Sequence, residues 1–294
     1  MFEFPIRVRS LPPALHGMAW MVASGIAFAL LNTLLRLIAL TMPPLEVQFL
    51  RYFCGLVVML PFILRAGIMS YRPHNIKGQF WRGAVHAAGM VLWYIALPKL
   101  SLADTTAIGF TGPLFVMIGA VIFFKERMIW ERWFSALVGF AGVLIVVAPN
   151  LGSGDTIYYA TMLASSPLFA ASALIVKSLT RRDRTEVIVV WQCITIALFT
   201  LPLAIPTWEW PTATQWAIYL GTGVLGTVAH FCGTNALRVA DVTATQGFRF
   251  LDLIWTTILG LIVFSDRPSI FTFVGGIVIA TVTAWLARRE KARL

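Results

Sequence analysis

The chain has 294 residues, of which 59% are hydrophobic and 12% charged, and its formal net charge is +10. A water-soluble domain carries about 25% charged residues, so too few polar side chains are present here to cover a water-facing surface. This composition excludes an ordinary soluble protein and predicts an integral membrane protein.

Ten apolar runs are each long enough to cross a bilayer as a helix, which takes roughly 20 residues. In chain order they are residues 14–40, 44–65, 80–98, 103–124, 132–149, 157–177, 186–206, 214–237, 243–264 and 270–287. The first run follows Arg7 and Arg9 but is too long for a signal peptide, so we predict that it is retained. Short turns join the runs. The sequence has no long linker between them, so we predict no separate soluble domain. We therefore predict an all-α fold of ten transmembrane helices.

The basic residues predict the orientation of these helices. With a cytoplasmic N-terminus, seventeen of the 23 Lys and Arg residues fall in cytoplasmic segments and two, Lys99 and Arg267, fall outside. Positive charge is retained on the cytoplasmic side of membrane proteins, so this bias explains the net charge without a nucleic-acid partner. Both termini are predicted to be cytoplasmic, in a bacterial inner membrane.

Residue pairs recur at a fixed offset along the chain. Three pairs recur 140 residues apart (Glu46-Val47 with Glu186-Val187, Ala96-Leu97 with Ala236-Leu237, and Glu126-Arg127 with Asp266-Arg267), and three recur 141 apart (Phe28 with Phe169, Arg36 with Lys177, and Leu60-Pro61 with Leu201-Pro202). One register across five helices indicates a duplicated five-helix unit. Because five is odd, the second unit enters the membrane from the opposite side, which is a transporter architecture.

The predicted organisation is a tail at 1–13, a first repeat at 14–149, a linker at 150–156, a second repeat at 157–287 and a basic tail at 288–294. Glu126-Arg127 and Asp266-Arg267 each end the fourth helix of a repeat. We interpret them as fixing helix ends by pairing or capping.

The stretch from Trp93 to Arg127, WYIALPKLSLADTTAIGFTGPLFVMIGAVIFFKER, resembles the EamA domain of the drug/metabolite transporter superfamily. The aromatic-x-Ala-Leu, Ala-Asp, Gly-Pro-Leu and Glu-Arg elements stand in order, and the second copy matches more weakly. The resemblance covers nearly the whole chain and implies a transporter of two inverted five-helix repeats. This chain departs from it where Arg249 and Asp252 stand in a helix that is usually less charged.

Charged side chains within a span are costly, at about 2.5–3.5 kcal/mol each at the helix centre, so they are candidates for function. Arg249 and Asp252 are spaced i,i+3 and Thr256 continues their face. Arg249 could bind a substrate carboxylate or phosphate, with Asp252 orienting it or taking up a proton. The alternative is an intrahelical ion pair that only orients the helix. Arg51, seven residues into its helix, is a further candidate.

Further substrate-binding candidates are His86 and His230, which lie in corresponding helices; histidine ordinarily titrates near neutrality, so either could relay a proton. Aromatic and amide candidates complete the predicted site: Trp93, Tyr94, Trp255, Asn32 and Asn235. Each has a structural alternative, as a packed or lipid-facing ring or as a hydrogen bond between helices. Arg82, at the predicted cytoplasmic edge of its helix, is expected to reach the interface instead.

The sequence favours a secondary active or facilitative transporter that moves a small polar metabolite, an amino acid or related organic anion, by alternating access through a central cavity. One alternative is a larger aromatic or nucleoside-like substrate, such as a vitamin or an S-adenosyl compound. A membrane enzyme or a non-transporting sensor subunit is the alternative of another class, but no catalytic motif supports an enzyme. No cofactor or metal is predicted, and Cys54, Cys193 and Cys232 are expected to be buried hydrophobes. Protons are a candidate coupling ion, lipid is the surrounding partner, and the protein is expected to be a monomer or homodimer.

Overall fold

The computed structural model describes residues 12–39, 41–96, 108–109, 111–147, 156–264 and 270–292. The predicted N-terminal tail up to residue 11, linker residues 150–155, Leu97 and Asp266-Arg267 lie outside these ranges. Ten helices cross the described residues: α1 (Pro13–Ala39), α2 (Pro44–Ala66), α3 (Ile76–Ala96), α4 (Thr111–Phe124), α5 (Trp130–Val147), α6 (Thr156–Leu179), α7 (Thr185–Ala204), α8 (Ala213–Val239), α9 (Val242–Phe264) and α10 (Ile270–Ala292). The predicted all-α fold of ten helices is confirmed.

Local sequence signals begin and end several of these helices. Pro44 opens α2, where its fixed φ suits the first helical position, and Gly67 ends the helix at φ +83°, a conformation that favours glycine. A capping box opens α8. The Gln215 N–H donates to Thr212 Oγ1, and Gln215 Oε1 accepts the Thr212 N–H at 2.7 Å.

Glu126 connects the end of α4 to the start of α9. Lys125, which follows α4, adopts φ 55°, a left-handed conformation that is uncommon for a residue with a side chain. The next residue, Glu126, accepts hydrogen bonds from the backbone N–H groups of Val242 and Thr243 at 2.9 and 3.1 Å. Its carboxylate therefore caps the N-terminus of α9, in agreement with the structural interpretation of the Glu126-Arg127 pair.

The outer surface of the helices is suited to lipid. Within the part of the chain that the structure describes, five helical segments are long and apolar enough to span a membrane: Pro13–Ala39, Pro44–Ala66, Ala160–Leu179, Thr185–Thr207 and Val242–Phe264. Large apolar side chains are exposed on other helices too, among them Phe123 on α4 and Ile277 on α10. A contiguous apolar exterior is compatible with acyl chains, and the protein is an integral membrane protein.

The two five-helix repeats interleave. The most extensive contacts join helices from different repeats, and they come in equivalent sets: α1 packs on α8 as α6 packs on α3, and α1 packs on α9 as α6 packs on α4. The equivalent helices α2 and α7 pack on each other, as do α5 and α10. This exchange is the contact pattern of an inverted repeat around a shared centre.

Glycine permits a close approach of two helix backbones. A Cβ added to Gly223 on α8 would lie 2.7 Å from the backbone carbonyl carbon of Cys54 on α2, nearer than van der Waals contact allows. The backbones of α2 and α8 therefore meet directly, which fixes Arg51, three residues before Cys54, against α8.

Candidate functional site: a cavity between the repeats

A cavity of about 300 Å³ lies at the centre of the molecule. Its wall is formed by α1, α2, α3, α4, α6, α8 and α9, so both repeats contribute. Small-molecule sites fall in the range of about 300–1,000 Å³, and the cavity is therefore large enough for a metabolite.

Seven of the eleven residues proposed from the sequence lie on the cavity wall: Asn32, Arg51, His86, Trp93, His230, Arg249 and Asp252. They come from five helices, α1, α2, α3, α8 and α9. Residues up to about 220 positions apart in the chain thus face one space.

Arg249 and Asp252 lie where α9 changes its helical type. The segment Val242–Gln246 is α-helical, Gly247–Leu251 is a 3-10 helix, and Asp252–Phe264 is α-helical again. A stretch of 3-10 helix within a longer helix often marks a hinge. Among the described residues, the two side chains form no ion pair within 4.0 Å and neither has a hydrogen-bond partner. The intrahelical ion pair considered for them is thus not formed, and both groups face the cavity.

Gly25 on α1 leaves space for the Asp252 carboxylate. A Cβ added to Gly25 would collide with Asp252 Oδ1, since that oxygen lies directly over the glycine. Gly25 also lines the cavity. The position of the carboxylate therefore depends on the absence of a side chain at residue 25.

Neutral and cationic side chains form a polar network at the cavity wall, to which Arg51, His86, Ser172 and His230 contribute directly. Arg51 Nη2 lies 3.5 Å from His230 Nε2, and Gln192 Nε2 lies 3.1 Å from the same nitrogen. The Tyr52 hydroxyl lies 3.0 Å from His86 Nε2, and the Ser172 hydroxyl lies 3.2 Å from His86 Nδ1. Each histidine is held by side chains from other helices, so its ring is fixed at the wall.

Aromatic rings form a continuous row across this wall. Phe28 packs edge-on against His230 with centroids 5.0 Å apart, His230 lies 5.9 Å from His86, and Phe169 lies 5.3 Å from His86. Phe28 and Phe169 are equivalent in the repeat, 141 residues apart. Each repeat therefore supplies one phenylalanine and one histidine, and each phenylalanine packs on the histidine of the other repeat.

Arg82 lines the cavity, although its position in the sequence predicts that it reaches the membrane interface. It is 3% exposed, donates to the Ile188 carbonyl at 2.9 Å and to Gln192 Oε1 at 2.5 Å, and lines the cavity. The interface assignment is wrong for two reasons. Helix α3 begins at Ile76 rather than at residue 80, which moves Arg82 deeper into the helix, and α7 supplies both acceptors.

The remaining four candidates lie off the cavity wall. Tyr94 is 2% exposed, and Trp255 has a buried Nε1 without a hydrogen-bond partner. Asn235 accepts the Thr185 hydroxyl at 2.8 Å, which joins α8 to α7. The Thr256 hydroxyl donates to the Asp252 carbonyl at 2.8 Å, within its own helix. Asn235 thus forms the hydrogen bond between helices that was its alternative to substrate binding.

No group of three or more His, Cys, Asp or Glu side chains comes together to hold a metal among the described residues. Cys54, Cys193 and Cys232 are all buried with free thiols. The cavity wall therefore offers guanidinium, imidazole, carboxylate, hydroxyl and aromatic groups to a ligand.

Known proteins resemble the chain along nearly its full length. A solved crystal structure superposes with a TM-score of 0.77 at 18% identity and covers 94% of this chain and 98% of its own, which supports the fold. A riboflavin transporter of Rhizobium johnstonii is 31% identical over 95% of this chain and 93% of its own length. An S-adenosylmethionine uptake transporter of Rickettsia felis is 27% identical over 96% of both chains. A riboflavin transporter of Vibrio cholerae is 29% identical over 94% of this chain and 96% of its own.

The family model described as the EamA-like transporter family matches twice, at residues 15–148 and 156–288. Together with the interleaved repeats and the central cavity, these matches settle the family from fold and sequence alike. The chain belongs to the EamA-like transporter family.

Proposed function

We propose that this metabolite transporter carries a flat heterocyclic metabolite, of the vitamin or S-adenosyl type, through the cavity between its repeats. The observation that supports this most directly is the row of rings from Phe28 through His230 and His86 to Phe169. Flat apolar surfaces pack favourably against aromatic rings, at about 0.5–1.5 kcal/mol beyond area burial for a ring pair. The transporters of riboflavin and S-adenosylmethionine named above support the same substrate class over the amino acid or organic anion that the cationic residues within the spans favoured.

The polar groups around the row are suited to the substituents of such a substrate. Arg249 and Asp252 face the cavity from α9, and Asn32 faces it from α1. A guanidinium donates to carbonyl or acid oxygens and a carboxylate accepts from N–H or O–H groups. We propose that these three side chains orient the substrate while the rings hold its plane.

The transport cycle proposed here is alternating access. The paired contacts of α1 with α8 and of α6 with α3 allow the repeats to rock and open the cavity to each side in turn. Because α9 carries its 3-10 segment beside Arg249, a change in that segment would move the cavity groups during rocking. Proton coupling through Asp252 and residence in the bacterial cytoplasmic membrane belong to the same proposal.

Uptake by proteoliposomes tests the substrate class. The purified full-length protein is reconstituted and incubated with tritiated riboflavin, tritiated S-adenosylmethionine or tritiated glutamate. We expect saturable uptake of at least one heterocycle and none of glutamate beyond protein-free liposomes. Uptake of glutamate alone would contradict the proposed heterocyclic substrate and would favour an amino-acid substrate instead.

Replacing Phe28 tests the role of the rings. Phe28→Ala removes one ring packed on His230, so we expect the KM for the transported heterocycle to rise about three- to tenfold, the equivalent of about 0.5–1.5 kcal/mol. Phe273→Ala is the control, because Phe273 is 59% exposed on α10, away from the cavity. Equal KM values for the two variants would exclude Phe28 from the substrate site.

A further inference from the structure

The charges on the described part of the cavity wall do not balance. Three arginines, Arg51, Arg82 and Arg249, face one carboxylate, Asp252. Charges within the bilayer are costly and are normally paired with opposite charge. Asp252 can compensate at most one of the three guanidinium groups.

Arg51 and Arg82 carry the uncompensated charge. Their side chains are buried, with 5% and 3% of the residue surface exposed. Their hydrogen-bond partners are neutral: His230 for Arg51, and the Ile188 carbonyl and Gln192 for Arg82. The Nε–H groups of both arginines are buried without a partner. Two nearly buried cations thus border one cavity, and no described acid is paired with either.

The two arginines lie at equivalent helix crossings of the repeat, Arg82 where α3 packs on α7 and Arg51 where α2 packs on α8. Gln192, which accepts from Arg82, stands 141 residues after Arg51, in the register that relates α2 to α7. Gly226 on α8, the helix equivalent to α3, lies opposite Arg51, with an added Cβ 3.5 Å from Arg51 Nε. The arginine thus comes from the first repeat at both crossings, from α3 at one and from α2 at the other. The cationic groups are thereby joined through Gln192 and His230 into one cluster.

We infer that Arg51 and Arg82 form an oxyanion site, which takes a carboxylate or phosphate group. This inference deepens the proposed function, because it gives the heterocyclic substrate an acidic group. Guanidinium groups bind such oxygens with short, charge-assisted hydrogen bonds, and a bound anion would balance the two buried cations. The oxyanion has two sources, the substrate itself or a free inorganic ion, and both carry the same chemistry.

Binding of inorganic phosphate to the purified full-length protein tests the site without transport. Thermal unfolding in detergent is followed as phosphate is titrated at an ionic strength held constant with sodium chloride. We expect saturable stabilisation, and an apparent Kd about tenfold weaker in Arg51→Gln and Arg82→Gln, as for the loss of one hydrogen bond to a charged group. Arg51→Lys retains the cation and is expected to retain most of the binding, which separates loss of charge from damage to the fold.

Arg65→Gln is the matched control. Arg65 lies on α2, as Arg51 does, but it is exposed at the C-terminal end of that helix. Its phosphate affinity is expected to equal that of the unmodified protein. The inference is overturned if phosphate gives no saturable stabilisation, or if Arg51→Gln and Arg82→Gln bind it as well as Arg65→Gln does.

A second arm identifies the source of the oxyanion. Adenosine and adenosine monophosphate present the same ring with and without an acidic group. Tighter binding of the monophosphate by about tenfold, lost in Arg51→Gln, supports a group carried by the ligand. Equal binding of the two, alongside arginine-dependent phosphate binding, supports a free ion at the same site. Failure of heterocycle uptake in liposomes would leave the phosphate result standing, so the two proposals fail separately.

Discussion

Gly25 has no side chain, and this determines where the Asp252 carboxylate lies in the cavity. The carboxylate lies over the glycine Cα, and α1 and α9 meet at this point. Asp252 is the one acidic side chain on the described cavity wall. Its position is therefore determined by a steric contact with α1 rather than by an ion pair.

Gly25→Ala should displace this carboxylate. We expect uptake at low substrate concentration to fall at least about tenfold, which corresponds to about 1.4 kcal/mol of lost binding. The fold should persist, because alanine is a good helix former. Gly276→Ala on α10 is the control, since an added Cβ there meets nothing within 4 Å. Uptake by Gly25→Ala equal to that of Gly276→Ala would show that the position of Asp252 is unimportant.

The sequence identified residues whose charge is unusual in a membrane but not those defined by their neighbours. Arg249, Asp252 and Arg51 stand out in apolar runs and do line the cavity. Gln192 and Ser172 are unremarkable in the sequence, and only their distance from a histidine reveals them. Thr256 was placed on the face of Arg249 by the period of an α-helix. Its hydroxyl instead donates to the Asp252 and Leu253 carbonyls of its own helix, and Thr256 does not line the cavity.

At the scale of elements, α9 is held at its start by charged residues from other parts of the chain. Glu126 caps its N-terminus, Arg132 donates to Asp241 and Thr243, and Lys177 donates to the Leu237 and Ala240 carbonyls at the end of α8. Lys177 thus closes the C-terminus of α8. These bonds surround the turn between α8 and α9.

Glu126→Ala should loosen the start of α9. The variant leaves the Val242 and Thr243 N–H groups without their acceptor, and we expect the free energy of unfolding to fall by about 1–2 kcal/mol. Unfolding in mixed detergent and SDS micelles measures it. Glu209→Ala provides the comparison, because the Glu209 side chain is exposed and only its backbone N–H bonds to Glu46. Similar losses in the two variants would count against the capping role.

The helix positions could be predicted well because the thickness of a bilayer sets the length of an apolar run. The predicted runs 44–65 and 243–264 agree with Pro44–Ala66 and Val242–Phe264 to within a residue. The start of α3 could not be predicted in this way, because residues 76–79 include polar side chains that hydropathy assigns to a loop. Gln79 is 1% exposed and donates to Asp183 at 2.9 Å, so contact with the α6–α7 turn extends the helix.

At the scale of the whole molecule, the interleaved repeats make the cavity a shared product of both halves. Helices that are equivalent in sequence occupy equivalent places about the cavity, and the phenylalanine of each repeat packs on the histidine of the other. Inversion of one repeat against the other follows from an odd number of helices in each. It predicts that the termini share one side of the membrane.

Fusions of alkaline phosphatase, which is active only outside the cytoplasm, test this orientation. We expect a fusion at the C-terminus to be inactive and a fusion in the predicted linker at 150–156 to be active. The positive charges at Arg288, Arg289, Lys291 and Arg293 favour the cytoplasmic side for the C-terminus. Activity at the C-terminus and none at the linker would reverse the proposed orientation.

Accessibility of the cavity from the two sides of the membrane tests the transport mechanism most directly. Ala173→Cys places a thiol on the cavity wall, and Ala88→Cys places one on the exposed, lipid-facing surface of α3. In right-side-out and inside-out vesicles, an impermeant maleimide is predicted to label residue 173 from either side and to leave residue 88 unlabelled. Labelling of residue 173 from one side only, with and without a transported substrate, would contradict alternating access through this cavity.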